Sequence, residues 1–288
     1  MKKKITRVIE PLENLISSYQ FSKYYYDENR KLYSNLWKER GFNQLKIIFA
    51  NETLTNVVDG SLHDLYNLFL YSYYVKKDVL EAKQHCYTIA KLIQAFYHYF
   101  GNMANDSKIY RLEHYLSNSL ALLSDNHVVK EFQHYDYTMR NMYGNNTREN
   151  RDYFLTKQGF IFGYVMQCIV NKDLNKLDYC IDSGHKLKSK TEFKSRHYEL
   201  HLKVWEAVRD FNSDGLEDSL NLLIKKTHKT FHSGHLWGEF LSAPATGYLK
   251  AAWIIGLEVE VKNKLIPMEL MPVKPLISYK NDFDFFFK

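Results

Sequence analysis

Apolar side chains recur at every third or fourth position along most of this chain, and this spacing limits the fold more than any other feature. It matches the α-helical period, in which residues three and four apart share one face. Only 12 glycines and 5 prolines interrupt the sequence of 288 residues. So few helix breakers favour helices over a turn-rich sandwich of strands. The pattern therefore predicts an all-α protein.

Helix boundaries are predicted from glycines and from side chains that can cap a helix. Ile5–Ile16 marks a first helix, and a second is expected to end at Gly41. A third should end before a turn at Asp59-Gly60, after which Ser61 would cap the next helix. Further segments with the helical period follow at 78–101, 107–123, 127–142, 154–170, 173–186, 196–211, 214–227 and 243–256.

An aspartate followed closely by a leucine opens three of these segments, at Asp78, Asp173 and Asp214. A carboxylate at a helix N-terminus accepts hydrogen bonds from free N–H groups and interacts favourably with the helix dipole. Each such helix and the one before it would make a hairpin of roughly 40 residues, the size of known helical repeats. The hairpins share no consensus, which argues against a regular tetratricopeptide protein. We therefore expect an array of antiparallel helical hairpins.

The C-terminal tail differs from the rest of the chain. Leu257–Val261 alternates apolar and acidic residues, which predicts a short strand. Pro267, Pro272 and Pro275 then exclude a long helix. Many apolar side chains accompany the prolines, so a free solvated tail is not expected. We predict an extended, proline-containing strap, residues 257–288, packed across the helical body.

One stretch is a candidate boundary within that body. The polar run GNNTRENR at 144–151 is typical of an exposed loop or a subdomain boundary. A chain of this size can bury roughly 75% of its unfolded surface without help from a metal or a disulfide. We expect residues 1–288 to form a single all-helical domain.

Cysteine usage and hydropathy predict the compartment. Cys86, Cys168 and Cys180 are odd in number and lack metal-ligand spacing, which indicates reduced core thiols of a cytosolic protein. The basic cluster Lys2–Lys4 has no apolar run behind it, as a secretory signal would require. No window approaches the roughly 18 consecutive apolar residues of a transmembrane helix. The sequence therefore predicts a cytoplasmic protein without a membrane partner.

A histidine-rich segment is the strongest candidate for a metal site. His228, His232, His235 and Glu239 would supply three imidazoles and a carboxylate, which suit zinc. The Ser-Gly pair at 233–234 interrupts the helix that would align them, and the spacing matches no known zinc motif. Histidines at a helix C-terminus, where they favour the dipole, explain the segment equally. We expect neither a metal nor another cofactor.

Arg196 and His201 offer a different chemistry. The segment RHYELH resembles the Arg-polar-x-x-x-His motif of HEPN-type RNases, which are also all-helical. That resemblance implies an arginine that stabilises phosphate charge and a histidine that acts as general acid and base. His197 and His201 also stand four apart, although their glutamate is not placed as in a metalloprotease. With so many histidines and arginines, such loose spacings arise by chance.

No other segment has the spacing of a catalytic motif. The Gly-x-Ser-x-Gly elbow, glycine-rich phosphate loops, EF-hand loops and CxxC pairs are all missing. The run GHLWG at 234–238 lacks a nucleophile and indicates a tight turn with Trp237 packed. We therefore expect a protein that is not an enzyme.

Aromatic residues are unusually frequent, with 23 tyrosines and 18 phenylalanines. Runs such as Tyr24–Tyr26, and Tyr71, Tyr73 and Tyr74, would be able to stack nucleobases. At helical spacing, however, aromatic side chains more often fill a core or an interface. The net charge of +6 is spread thinly, whereas a nucleic-acid groove needs a basic patch. We therefore expect protein partners and no nucleic acid.

The C-terminal third contains an ordered series of features. A helix ends in AVRD at 207–210, and a polar joint precedes Leu216. A helix at 216–228, a glycine-containing turn and a small-residue helix at 243–256 follow. The step EVEV at 258–261 then leads into LIPMEL at 265–270. In this order the features resemble bacterial polymorphic-toxin immunity proteins, specifically immunity protein family 49. The chain departs from that pattern at Trp237 and in its phenylalanine-rich end.

The resemblance implies a non-enzymatic antidote. Such a protein binds the toxin domain encoded next to it and occludes the active site or the substrate path. Only a complementary surface is needed, with aromatic anchors in a desolvated centre and charges that steer encounter. A tyrosine-rich chain without catalytic motifs suits this role. The expected partner is a cognate toxin domain, and the resemblance assigns no toxin-binding residues.

Overall fold

The computed structural model describes residues 2–50, 53–100, 115–130, 138–140, 147–149, 161–187, 197–231 and 236–284. Nine α-helices account for most of these residues: α1 (Lys2–Ala50), α2 (Thr53–Leu70), α3 (Val79–Phe100), α4 (Tyr115–Leu122), α5 (Ile161–Val170), α6 (Leu174–Leu187), α7 (Tyr198–Arg209), α8 (Ser213–Phe231) and α9 (Ala243–Ile255). The prediction of an all-α fold is confirmed. The finer arrangement as an array of antiparallel hairpins, and the division into domains, stay predictions.

Short elements connect or follow the helices. A π-helical turn at Tyr71–Val75 extends α2, and 3-10 turns lie at His127–Lys130, Leu236–Glu239 and Met268–Leu270. Strands β1 (Thr138–Arg140) and β2 (Thr147–Glu149) pair antiparallel, with Thr138 opposite Glu149. One prediction is wrong here, because 127–142 is not one helix, and residues 147–149 of the polar run 144–151 lie in β2.

The first helices are longer than predicted. α1 continues through Gly41, and α2 continues through the expected turn at Asp59-Gly60, so Ser61 lies inside a helix and does not cap one. Gly60 is exposed, and a Cβ there would meet nothing within 4 Å. A helical glycine costs about 1 kcal/mol relative to alanine. Burying Leu62 and its apolar neighbours on α2 outweighs that cost, at about 1.5–3 kcal/mol for each side chain.

Two of the three predicted aspartate caps are confirmed. The Asp78 carboxylate accepts a hydrogen bond from the Glu81 N–H at 2.9 Å, at the start of α3. The Asp173 carboxylate accepts one from the Lys176 N–H at 3.1 Å, at the start of α6. The residue before each cap, Lys77 or Lys172, has a positive φ, of 57° and 56° respectively. At both junctions, three residues separate the end of one helical element from the start of the next.

The third junction uses a different cap. Asn212, not Asp214, opens α8, because its side-chain oxygen accepts a hydrogen bond from the Gly215 N–H at 2.9 Å. Phe211 before it has a φ of 51°, and the Asn212 N–H donates back to the Ala207 carbonyl at 2.9 Å. This left-handed step ends α7 at Arg209, two residues before the predicted end at 211. The cap therefore falls on Asn212, and Asp214 lies in the first helical turn.

The two candidate caps can be separated by mutation. Asn212→Ala is expected to lower the free energy of unfolding by about 1 kcal/mol, the usual cost of losing an N-cap. Asp214→Ala is the matched control in the same turn, and it should cost less than about 0.5 kcal/mol because only a dipole interaction is lost. Denaturant unfolding of both variants measures the difference. A larger loss for Asp214→Ala would return the capping role to that residue.

The strap crosses the helical body in extended conformation. The structure assigns no strand to 257–263, so the predicted strand is wrong among the described residues. The predicted alternation of buried and exposed residues is present, since Leu257, Val259 and Val261 are buried. Glu258 and Glu260 between them are exposed. The Val259 carbonyl accepts a hydrogen bond from the Trp253 indole at 3.0 Å, in place of a ladder bond.

The predicted packing of the tail is confirmed for most of its apolar residues up to Met271 and for Phe283, whereas Val273 and Ile277 are exposed. The phenylalanines at 285–287 lie outside the described residues. Within the strap, the buried apolar side chains are Leu257, Val259, Val261, Leu265, Ile266, Leu270, Met271 and Phe283. They continue a core formed largely by α3, α4, α5, α7 and α9. The helix α9 lies at its centre, with every residue from Ala243 to Ala252 buried.

Cys86, Cys168 and Cys180 are all free and buried, as predicted. In the described ranges, no helix combines the length and the apolarity needed to cross a bilayer.

Candidate functional site

His201, the catalytic candidate of the RNase hypothesis, lies in the core. It stands on α7 with only 3% of its surface exposed. Its ring stacks on Phe162 with 3.9 Å between the centroids, and its Nδ1 is 3.0 Å from the Tyr248 hydroxyl. Trp205 and Tyr198, also fully buried, complete an aromatic cluster. A general acid or base must contact its substrate, and no phosphate can reach this imidazole without opening the core.

The other predicted site residues are not brought together with His201. Arg196 lies outside the described residues. His197 precedes α7 in the left-handed conformation, with a φ of 52°, and its Nδ1 is 3.9 Å from a Glu199 carboxylate oxygen. The two histidines therefore do not share a helical face, and the zinc interpretation of that pair is not supported.

The histidine-rich segment is only partly described. His232 and His235, and the side chain of His228, lie outside the described part of the chain. Glu239 ends the 3-10 turn that contains Trp237, and it is exposed. Trp237 is half-buried against the core, in agreement with the predicted packed turn. Among the described residues, no three His, Cys, Asp or Glu side chains are placed to hold a metal ion.

A cluster of exposed aromatic and apolar side chains lies on α1. We define the outer face of α1 as Phe21, Tyr24, Tyr25 and Leu32, which are 63%, 62%, 43% and 52% exposed. Spacings of three, four and eleven residues place them on one side of the helix. The rings also contact one another, with centroids 4.4 Å apart for Phe21 and Tyr25 and 5.4 Å apart for Tyr24 and Tyr25.

The opposite face of α1 packs against the body. Tyr19 stacks on Tyr71 of the π-helical turn with 3.7 Å between centroids. The Asn67 amide of α2 donates a hydrogen bond to the buried Ser22 hydroxyl at 3.0 Å. Leu15 is fully buried. These contacts hold the middle of α1 against α2, so the outer face is presented on a supported helix.

The strap holds α1 from a second side. The Tyr26 hydroxyl donates to the Asp282 carboxylate at 3.1 Å, and the Arg30 guanidinium donates to it at 3.0 Å. The Tyr26 ring meets Phe283 edge-on, with 6.0 Å between centroids. Burial, reinforced by the neighbouring Asp282 carboxylate, raises the pKa of Tyr26 well above its ordinary value. The tyrosine therefore stays neutral and keeps its hydrogen bond across the physiological range.

The charged side chains around the outer face are paired within α1. The Lys23 amine lies 3.9 Å from the Asp27 carboxylate, and the Arg30 guanidinium lies 3.8 Å from the same carboxylate. The Lys31 amine lies 2.8 Å from the Glu28 carboxylate. Lys23 and Lys31 balance Asp27 and Glu28, while Arg30 also pairs with the strap. Glu28 stands three residues after Tyr25 and four before Leu32, so it lies within the outer face, and the charges on and beside that face cancel.

Sequence reasoning missed a buried ionic cluster under the strap. We define the strap anchor as three residues: Lys83 of α3, Lys250 of α9, and Asp125, which follows α4. The side chain of Lys83 is 5% exposed, and those of Asp125 and Lys250 are 0% exposed. Both amines pair with the Asp125 carboxylate. Lys250 also donates to the Leu270 and Met271 carbonyls, each at 2.8 Å. Burial lowers the pKa of Lys250 to about 8 although Asp125 opposes that change.

The strap anchor joins the strap to two helices. Lys83 donates to the Lys274 carbonyl at 2.6 Å, and the Lys274 N–H donates to Asp125 at 3.1 Å. Farther along, Gln84 of α3 exchanges two hydrogen bonds with the backbone of Lys280, at 2.8 and 3.0 Å. All of these donors and acceptors are engaged within the chain, so the arrangement is structural. Lys250 is the single charged residue in the helix 243–255, and this feature of the sequence would have indicated a buried ionic cluster.

Comparison of the chain with protein families, with curated proteins and with solved structures found no match in any of the three.

Proposed function

We propose that this chain is an immunity protein that binds a cognate bacterial toxin domain and occludes its active site or substrate path. The observation that carries the proposal is the exposed aromatic cluster on a braced helix, bordered by balanced charges. The order of features in the C-terminal third, which resembles immunity protein family 49, supports the same role. The burial of His201 removes the strongest argument for the RNase alternative.

Binding alone would perform this function. Tyrosine side chains supply large contact areas with few rotatable bonds, and they are enriched among the residues that dominate binding energy. Because α2 and the strap already fix α1, little conformational entropy is lost when the partner docks. A toxin covered in this way cannot admit its substrate, and the antidote needs no chemistry of its own.

Coexpression tests the proposal. The toxin domain encoded beside this gene would be induced in a susceptible bacterium, with or without this chain. We expect growth to be restored only when the chain is present, and the purified pair to elute from gel filtration as one complex. An unrelated toxin with a similar effect on growth is the specificity control. Continued killing by the neighbouring toxin, with no complex formed, would refute the proposal.

The substitution His201→Ala distinguishes the proposed immunity function from the RNase hypothesis. Removing the buried ring is expected to lower the free energy of unfolding by about 2–5 kcal/mol, as for other large-to-small core substitutions. Protection by the folded variant should persist, because His201 lies far inside the surface. Chemical denaturation and a growth assay at reduced temperature measure the two effects. If the purified wild-type protein cleaves RNA and the variant does not, the RNase hypothesis replaces ours.

A further inference from the structure

We infer that the toxin docks on the outer face of α1 and that it does so through an apolar, uncharged protein surface. This inference rests on the proposed immunity function and adds to it a location and a partner chemistry. Phe21, Tyr24, Tyr25 and Leu32 are the anchoring side chains.

The clustering distinguishes this face from the remaining surface. Four large apolar side chains, each at least 43% exposed, lie within three turns of one helix. The other exposed large apolar side chains of the described residues are spread along the chain, at Ile16 on another side of α1 and at Leu80, Leu174, Tyr179, Phe211, Val273 and Ile277. Single exposed apolar residues are normal, whereas a contiguous patch marks an interaction site. The helix also buries the opposite face, so folding of the chain does not account for these residues.

The dimensions of the face suit one protein contact. Phe21 and Leu32 are eleven residues apart, which corresponds to roughly 16 Å along a helix. Fully burying an aromatic side chain removes roughly 150–250 Å² from water, and these three are already about half buried, so covering each would remove roughly 100 Å². A row of apolar side chains at this helical spacing fits a shallow apolar groove on the surface of a partner protein.

The charges decide the chemistry of that partner. Lys23 and Lys31 are matched by Asp27 and by Glu28, which lies within the face, so the charges on and beside the face sum to zero. A strongly acidic or basic partner surface would not be attracted electrostatically to this face. On binding it would also remove water from these ion pairs, which costs free energy. Anionic membranes attract amphipathic helices through unpaired basic side chains. Lys23 and Lys31, beside the outer face, are both paired with carboxylates. An uncharged apolar protein surface is the complementary occupant.

The test measures the affinity of the full chain for the toxin domain encoded beside its gene, by isothermal titration calorimetry. The variant carries Phe21→Ala, Tyr24→Ala and Tyr25→Ala. Its matched control carries Leu80→Ala, Leu174→Ala and Phe211→Ala, which remove exposed apolar side chains from other elements. We expect the α1 variant to weaken binding by about a hundredfold or more, and the control by less than about threefold. Circular dichroism and melting of both variants should match the wild type.

A single variant and a salt series complete the test. Phe21→Glu places an unpaired charge beside the aromatic rings at the N-terminal end of the face, so it should weaken binding by at least about tenfold without affecting folding. Raising sodium chloride from about 0.1 to about 0.5 M should change the wild-type affinity by less than about threefold, since few ionic contacts form.

Each contrary outcome has a distinct meaning. If the wild type binds and protects but the α1 variants do so equally, the location is wrong while the immunity function stands. A steep loss of affinity with salt would overturn the partner chemistry. A wild-type dimer that the α1 variants convert to a monomer would assign the face to a second copy, and binding of anionic vesicles that the variants lose would assign it to a membrane. If the wild type neither binds nor protects, the immunity function and the inference fail together.

Discussion

Asp125→Asn is expected to lower the free energy of unfolding by about 3–5 kcal/mol, the cost of removing one partner from a buried ion pair. The asparagine keeps the shape of the side chain but not its charge. Lys83 and Lys250, which are almost completely buried, would then face each other without a carboxylate between them. Denaturant unfolding followed by circular dichroism measures it.

Asp178→Asn is the matched control for the strap anchor. Asp178 lies 3.6 Å from Arg209, but its side chain is 51% exposed. A surface pair of this kind contributes about 0–1 kcal/mol, so the control should unfold almost like the wild type. In a Lys250→Met background, Asp125→Asn should cost less than it does alone, because one of the two amines is gone. Equal losses for Asp125→Asn and Asp178→Asn would show that the cluster does not hold the strap.

Truncation after Gly256 is expected to lower the melting temperature by more than about 10 °C and to expose surface that binds a hydrophobic dye. The deletion removes eight buried apolar side chains from the core. Each contributes roughly 1.5–3 kcal/mol through burial, so their sum is comparable with the whole stability of an ordinary domain. It also removes the carbonyls that accept hydrogen bonds from Lys250.

Truncation after Asp284 is the control for this deletion. It leaves the strap anchor and the contacts of Asp282 and Phe283 with α1 in place, so most of the melting temperature should be kept. If the chain ending at Gly256 melts unchanged but no longer binds the toxin, the strap is a binding arm. If stability and protection both survive, our account of the strap is wrong.

Local physics made much of the fold predictable. Helical periodicity and the scarcity of breakers indicated an all-α protein, and aspartates at Asp78 and Asp173 located two helix starts. The apolar residues between the prolines indicated a packed tail. Each of these inferences depends on a few neighbouring residues, whose spacing the sequence displays directly.

Tertiary context decided what the sequence left open. Gly60 is compatible with a turn or with an exposed helical position, and packing of its neighbours on α2 selects the helix. Asn212 and Asp214 can both cap, and the left-handed Phe211 selects Asn212. The run Tyr24–Tyr26 was interpreted as core or interface, whereas the structure buries Tyr26 and exposes the other two. Successive helical residues point about 100° apart, so only the position of α2 and the strap separates them.

The contact between Tyr26 and Asp282 joins residues 256 positions apart, and this distance governs when α1 can acquire its final support. At bacterial or eukaryotic elongation rates of 5–20 residues per second, those 256 residues take roughly 13–50 s to synthesise. During that interval α1 lacks the contacts that Asp282 and Phe283 supply in the folded chain. Contacts of such high sequence separation also slow folding, because a long loop must close before they form. The side of α1 that carries Tyr26 and Arg30 therefore gains its contacts with the strap only after residues 282 and 283 have been synthesised.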